Sequence, residues 1–149
     1  MDALKLLKQD HQEVKDLLER AGAAEGKELK EIFKQIKKAL QTHARIEETI
    51  FYPAMEKKEE LKDIVLESYE EHKQIKTLLR EMDGLSADNE KFEPKLEVLK
   101  ENVEHHAEEE EEGKLFPKVQ ELFDNNALDR LGQQLEKAKG KKRKKSRAA

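Results

Sequence analysis

The sequence contains no cysteine and no tryptophan, and only 5% of its residues are aromatic. Without cysteine there can be no disulfide, no thiolate nucleophile and no sulfur-ligated zinc or iron–sulfur site. Any metal must be held by nitrogen and oxygen. Prolines number three and glycines six, too few for a turn-rich β protein. The opening residues, Met1 to Lys5, contain no apolar run of the length a signal peptide or membrane span needs, so a cytoplasmic location is the expectation.

What the chain does have is charge. Charged residues make up 43% of its 149 positions, and Glu, Lys, Leu and Ala dominate, as in long amphipathic helices. The net charge of −4 conceals two unlike parts. From Lys137 to Ala149 basic residues are unopposed, whereas residues 1–136 are strongly acidic. The expectation is one domain over 1–136 followed by a basic, disordered tail over 137–149. That tail could make weak, nonspecific contact with an anion such as nucleic acid or membrane, but it lacks the interleaved aromatics that a sequence-specific contact would need.

Apolar residues recur at helical spacing through most of the chain. Leu4, Leu7, Val14 and Leu18 mark a first helix up to about Arg20. Ile32, Ile36 and Ile46 mark a second, from about Lys27 to Lys58, which Pro53 should bend or end. Ile64, Val65, Ile75 and Leu79 mark a third, from Leu61 to about Met82. Leu96, Leu99 and Val103 begin a fourth, whose stripe resumes out of phase after Gly113 at Leu115 and Phe116. A short fifth helix should span about Leu128 to Ala138. The fold class expected is all-α: an antiparallel up-down four-helix bundle with a short C-terminal fifth helix.

One histidine lies on the apolar stripe of each main helix: His11, His43, His72 and His106. In an up-down bundle, residues at one level on successive helices are equidistant from the turn between them. The midpoint of His72 and His106 is Asn89, that of His43 and His72 falls at Lys57–Lys58, and that of His11 and His43 is Lys27. Each lies at or beside an expected turn, so the four histidines can share one layer.

Two of them are followed one turn later by a carboxylate, His43 by Glu47 and His106 by Glu110. A single such pair is commonplace in a glutamate-rich chain. Four imidazoles and at least two carboxylates at one core level are another matter, because unpaired charges there would cost several kcal/mol each. A metal cluster satisfies them together. Imidazole and carboxylate without sulfur suit Fe, Mn or Zn, and six ligands suit two metals sharing bridging carboxylates better than one tetrahedral zinc. The ferritin-like Glu-x-x-His signature is not present at these histidines.

The order His11, His43-x-x-x-Glu47, His72, His106-x-x-x-Glu110 resembles the hemerythrin-like HHE cation-binding family. The words Phe51-Tyr52-Pro53-Ala54 and Leu115-Phe116-Pro117-Lys118, with Asp10-His11 and Glu71-His72, support the likeness over residues 2–123. The resemblance implies two non-haem iron ions, carboxylate- and oxo- or hydroxo-bridged, with His11, His43, His72 and His106 as terminal ligands. Glu47 and a glutamate of the fourth helix would be the bridges. It further implies binding of oxygen or a related small molecule, for sensing or for detoxification of oxygen, peroxide or nitric oxide. An alternative is an iron-storage or iron-donating protein, suggested by the carboxylate run Glu108–Glu112. Whether the protein is an enzyme is left open.

Two departures qualify the likeness. Oxygen-carrying members have a further histidine one turn after the third-helix ligand, where this chain has Lys76. And Pro53 follows His43 by ten residues whereas Pro117 follows His106 by eleven. Counting from the histidine selects Glu110 as the partner of Glu47; counting from the proline selects Glu111. The extra residue is expected to be absorbed as a π-bulge. His105 should be exposed or outside the ligand set.

Overall fold

The computed structural model describes the backbone of residues 1–148 and the side chains of residues 1–140. It is all-helical, with no strand among the described residues. The first arm is α1 (Ala3–Gly22), capped by Asp2, whose carboxylate accepts the Lys5 N–H at 2.9 Å. Gly26, at φ +61°, makes the left-handed turn into α2 (Gly26–Ile46).

The second arm does not end at Ile46. It passes through a π-helical turn, Glu47–Phe51, into α3 (Tyr52–Glu56), with Pro53 in its first turn. The third arm is α4 (Lys62–Asp83), entered through a short 3₁₀ turn at Glu59–Leu61. The fourth has the same construction as the second: α5 (Phe92–Glu104), an eleven-residue π-helical segment, His105–Leu115, then α6 (Phe116–Leu122) with Pro117 in its first turn.

Both π segments close in one way. The Tyr52 N–H reaches back five residues to the Glu47 carbonyl, and the Phe116 N–H reaches back five to that of Glu111. A wider turn just before each proline lets the helix continue although proline offers no N–H. The bulge anticipated on the fourth helix is present; the one on the second helix was not anticipated.

Two apolar clusters fill the bundle. One, at the Gly26 end, joins Leu18, Phe33, Ile36, Leu79, Met82 and Phe92. The other joins Leu7, Phe51, Met55, Leu61, Phe116 and Leu128. The histidine layer lies between them.

The fifth helix differs from expectation. It runs Asn125–Ala148 rather than ending near Ala138, and Asp124 caps it by accepting the Ala127 N–H at 2.8 Å. The helix crosses the boundary expected at residue 137. Ala138 packs against the second cluster, its carbonyl accepts from Arg45, and Lys139 pairs with Asp10. These contacts hold the helix to the bundle past the expected boundary. Ala149, and the basic side chains from Lys141 to Arg147 expected to contact anions, lie outside the described residues.

This helix, α7, crosses the start of α1 closely at Gly132. A Cβ there would stand 2.1 Å from the Met1 carbonyl oxygen and 2.9 Å from the Asp2 carbonyl carbon. Neither backbone atom can move aside cheaply. Gly132→Ala should therefore destabilise the protein by about 1–3 kcal/mol, the usual cost of overpacking. Thermal unfolding and loss of amide protection concentrated in α7 would register it; unchanged protection would show that the contact is dispensable.

Candidate metal centre

Each arm contributes one histidine to the layer, and all four are oriented alike. Their Nδ1 atoms point outward and donate to a carboxylate: His11 to Glu112 (2.6 Å), His43 to Asp10 (3.0 Å), His72 to Glu48 (2.6 Å) and His106 to Glu71 (2.6 Å). A carboxylate partner fixes the tautomer, leaving every Nε2 to face inward as a potential ligand.

What they face is Glu47 and Glu111, both wholly buried. Glu47 Oε1 lies 3.1 Å from His43 Nε2, 3.1 Å from His72 Nε2 and 3.8 Å from His106 Nε2. Glu111 Oε1 lies 2.8 Å from His11 Nε2 and 3.9 Å from His43 Nε2, while its Oε2 is 3.5 Å from His106 Nε2. The donor atoms fall into two overlapping groups, His11–His43–Glu47–Glu111 and Glu47–His72–His106.

The fourth-helix ambiguity has a geometric answer at the level of placement. Glu111, five residues after His106, is carried to the inner face because the π helix brings i and i+5 together. Glu110 is also buried, but its carboxylate turns outward to Lys114 at 3.2 Å. Of the seven candidates from sequence, six converge and Glu110 does not.

The residues suit a metal pair. His43 Nε2 and Glu47 Oε2 are buried without a hydrogen-bond partner, an expensive condition for a polar atom. His72 Nε2 and His106 Nε2 stand 3.1 Å apart, a separation that a shared cation would suit. Ligands about 2.1 Å from a shared metal are separated by roughly 3.0–3.4 Å, depending on its geometry, and most of the inner contacts lie near that range.

One inward group was missed in the sequence. The Tyr52 hydroxyl lies within 3.1 Å of Glu47 Oε1, 2.5 Å of Glu111 Oε2 and 3.3 Å of His106 Nε2. Burial and the charges of Glu111 and Glu47 hold its pKa well above the usual 10, so it stays a neutral donor. Its five-residue spacing from Glu47 was the available signal, readable only if a π turn is assumed.

The outer carboxylates were also missed as a set, though each adjoins an inward-facing candidate in sequence. They form a ring. The acid on the first arm holds the histidine of the second, that of the second holds the third, the third holds the fourth, and the fourth holds the first. Two have cations beyond them: Lys139 bonds Asp10 at 2.8 Å and Lys76 bonds Glu48 at 2.9 Å. Lys76 thus faces outward, as its charge requires.

Beside the ring, between the histidines and Val14, Leu40, Ile75, Leu79 and Val103, lies a cavity of about 30 Å³. It has room for one or two water-sized molecules. Its exposed wall is almost wholly apolar.

Without metal, the inner charges settle on each other. Burial opposes the charged form of His43, but the charge of Glu47 and the bond to Asp10 outweigh it and raise the pKa well above 6.5. Burial likewise opposes charge on His106, yet Glu111 and Glu47 lift it to about 10. His11 and His72 are raised by their carboxylates despite burial. Burial would raise Glu47, but His43 and its other partners hold it well below 4.5. The histidines therefore stabilise the metal-free fold fully below about pH 6.5, and that contribution is lost as pH rises through their folded values. Glu47 contributes above about 4.5 and loses its effect as pH falls through its own lowered value. The metal-free protein should be most stable between these limits and less stable toward pH 10. Metal must displace the imidazole protons, so affinity should rise over the same range. Melting curves and chelator competition at pH 6, 7 and 8 test both trends, which have opposite signs.

Asp10 touches only the outer side of His43. Asp10→Ala should still lower metal affinity about 10–100-fold through loss of ring orientation, as read by chelator competition; equal affinity would leave the carboxylate without a positioning role.

A family model described as the Hemerythrin HHE cation binding domain matches residues 2–119. A crystal structure of a hemerythrin HHE cation binding domain-containing protein from Mycobacterium kansasii is similar throughout, with a TM-score of 0.83 and 25% identity over 99% of this chain and 93% of that one. A search of the curated proteins gives no match.

Proposed function

Since the chain belongs to the hemerythrin HHE cation-binding domain family, we propose that it is a non-haem di-iron protein binding oxygen or a related small molecule in its bundle core. The observation that supports this most is the convergence of four imidazole Nε2 atoms on two buried carboxylates. In this reading His11, His43, His72, His106, Glu47 and Glu111 would hold the metal pair. Bound there, iron would supply the redox and Lewis-acid chemistry that oxygen, peroxide or nitric oxide requires.

The chain's own residues do the remainder. The outer carboxylates fix the imidazoles, and Tyr52 holds a proton among the inner oxygens. The apolar cavity admits a small molecule and excludes a large or strongly hydrated one. No helix among the described residues is long and apolar enough to cross a membrane, and a cytoplasmic setting belongs to the same proposal.

Iron storage is less well supported. The run Glu108–Glu112 does not present one open carboxylate surface. Glu111 is inside, Glu112 holds His11, Glu108 pairs with Lys15, Glu109 with His105 and Glu110 with Lys114.

Protein expressed in iron-replete medium and desalted through chelator should retain two irons per chain and show an oxo-bridge absorption band. Glu111→Ala should lose that band, whereas Glu110→Ala should keep it. Absence of tightly held iron in the wild type would defeat the proposal, and the reverse behaviour of the two variants would defeat the assignment of Glu111.

A further inference from the structure

Beyond the inner centre, we propose that Glu71, His105 and Glu110 form an outer site for a divalent transition-metal cation, at the bundle surface. His105 Nε2 lies 3.4 Å from Glu71 Oε2 and 3.5 Å from Glu110 Oε1, and the three donor atoms are within 4.8 Å of one another. The site uses none of the six converging ligands, so it stands or falls separately from the di-iron proposal.

The local fold explains why these groups meet. His105 and Glu110 are five residues apart in the π-helical segment, as His106 and Glu111 are. The same wide turn therefore sets two His–Glu pairs side by side, one facing the core and one facing Glu71 on α4. A regular α-helix, which aligns i with i+4, would align neither pair.

The orientation of His105 also repeats that of the inner four. Its Nδ1 lies 2.5 Å from Glu109 Oε2, and its Nε2 is directed at two carboxylates. These three donor atoms can share one cation, which would take the place of Lys114 Nζ, now 3.2 Å from the same Glu110 oxygen. The separations of 3.4 and 3.5 Å are long for charge-assisted hydrogen bonds, which favour about 2.7–2.9 Å. They match the roughly 3.4 Å edge of a tetrahedron whose ligands lie about 2.1 Å from the metal.

One imidazole and two carboxylates, without sulfur, suit Zn²⁺, Fe²⁺ or Mn²⁺; the nitrogen ligand disfavours Ca²⁺ and Mg²⁺. His105 is half exposed, so water completes the coordination and the ion exchanges freely. Glu110 is nearly buried, so its charge is poorly screened by water. The other oxygen of Glu71 accepts from His106 Nδ1, making this carboxylate a direct link between the outer cation and the inner imidazole.

Equilibrium dialysis of the full chain against micromolar Zn²⁺ tests the site. Wild-type protein should bind one more zinc per chain than His105→Ala, which alters an exposed side chain. A Glu47→Gln/Glu111→Gln protein should keep that difference when His105→Ala is added to it, even if its inner zinc is lost. Zinc-soaked crystals should show an anomalous peak about 2.0–2.1 Å from His105 Nε2. Equal zinc content in wild type and His105→Ala, or no peak at that position, would overturn the proposal.

Discussion

Two carboxylates with no access to water, Glu47 and Glu111, sit in the middle of an apolar bundle, and the surrounding structure compensates them in layers. Uncompensated, each would cost several kcal/mol. Four imidazoles and a phenol surround them. Each imidazole, itself nearly buried, is answered on its outer side by a carboxylate. Lysines stand beyond three of those carboxylates: Lys139 at Asp10, Lys76 at Glu48, and the fields of Lys8 and Lys15 at Glu112. Charge therefore alternates from centre to surface, and at the centre itself a metal would supply the positive charge that completes the alternation.

The ring of outer acids follows from bundle geometry. Successive helical residues are about 100° apart around the axis, so a residue beside an inward ligand points along the flank toward a neighbouring arm. On the first and third arms the acid precedes its ligand, as in Asp10-His11 and Glu71-His72. On the second and fourth it follows, as in Glu47-Glu48 and Glu111-Glu112. Reversing the chain direction reverses the sense in which one step along the sequence turns around the bundle. The step of minus one on one pair of arms and plus one on the other therefore rotates the same way, and every acid reaches the next histidine in turn. An acid on the wrong side of its ligand would have faced the preceding arm and broken the ring.

This explains both what could be read from the sequence and what could not. Apolar spacing and the midpoint test placed four histidines at one level, because both depend only on regular helices and short turns. They could not decide between Glu110 and Glu111, because the choice depends on where a helix changes pitch, and a 3.6-residue template has no term for that. The proline register agrees with the inward placement of Glu111: Glu47 and Glu111 each precede a proline by six residues. Tyr52 escaped notice for the same reason. The outer acids were hidden differently: Asp10 and Glu71 stood out only as neighbours of His11 and His72, and in a chain so rich in glutamate Glu48 and Glu112 look like ordinary surface charge.

The C-terminal helix shows how a remote segment can bear on the centre. Its path is fixed by Gly132, whose lack of a side chain lets α7 lie against the backbone at Met1 and Asp2. Two turns further on, that path brings Lys139 to Asp10, and Asp10 is what orients His43. The connection from α7 to an inward imidazole thus has two polar links and no flexible loop between them. Lys139 is partly exposed, so water screens its pair with Asp10 and its direct contribution to stability is small. Its effect on Asp10 is in the same direction as that of His43: both favour the ionised carboxylate. A carboxylate kept ionised by a lysine on its outer side remains an acceptor for the His43 N–H even when metal withdraws charge from the ring, and that is the state in which the imidazole most needs to be held.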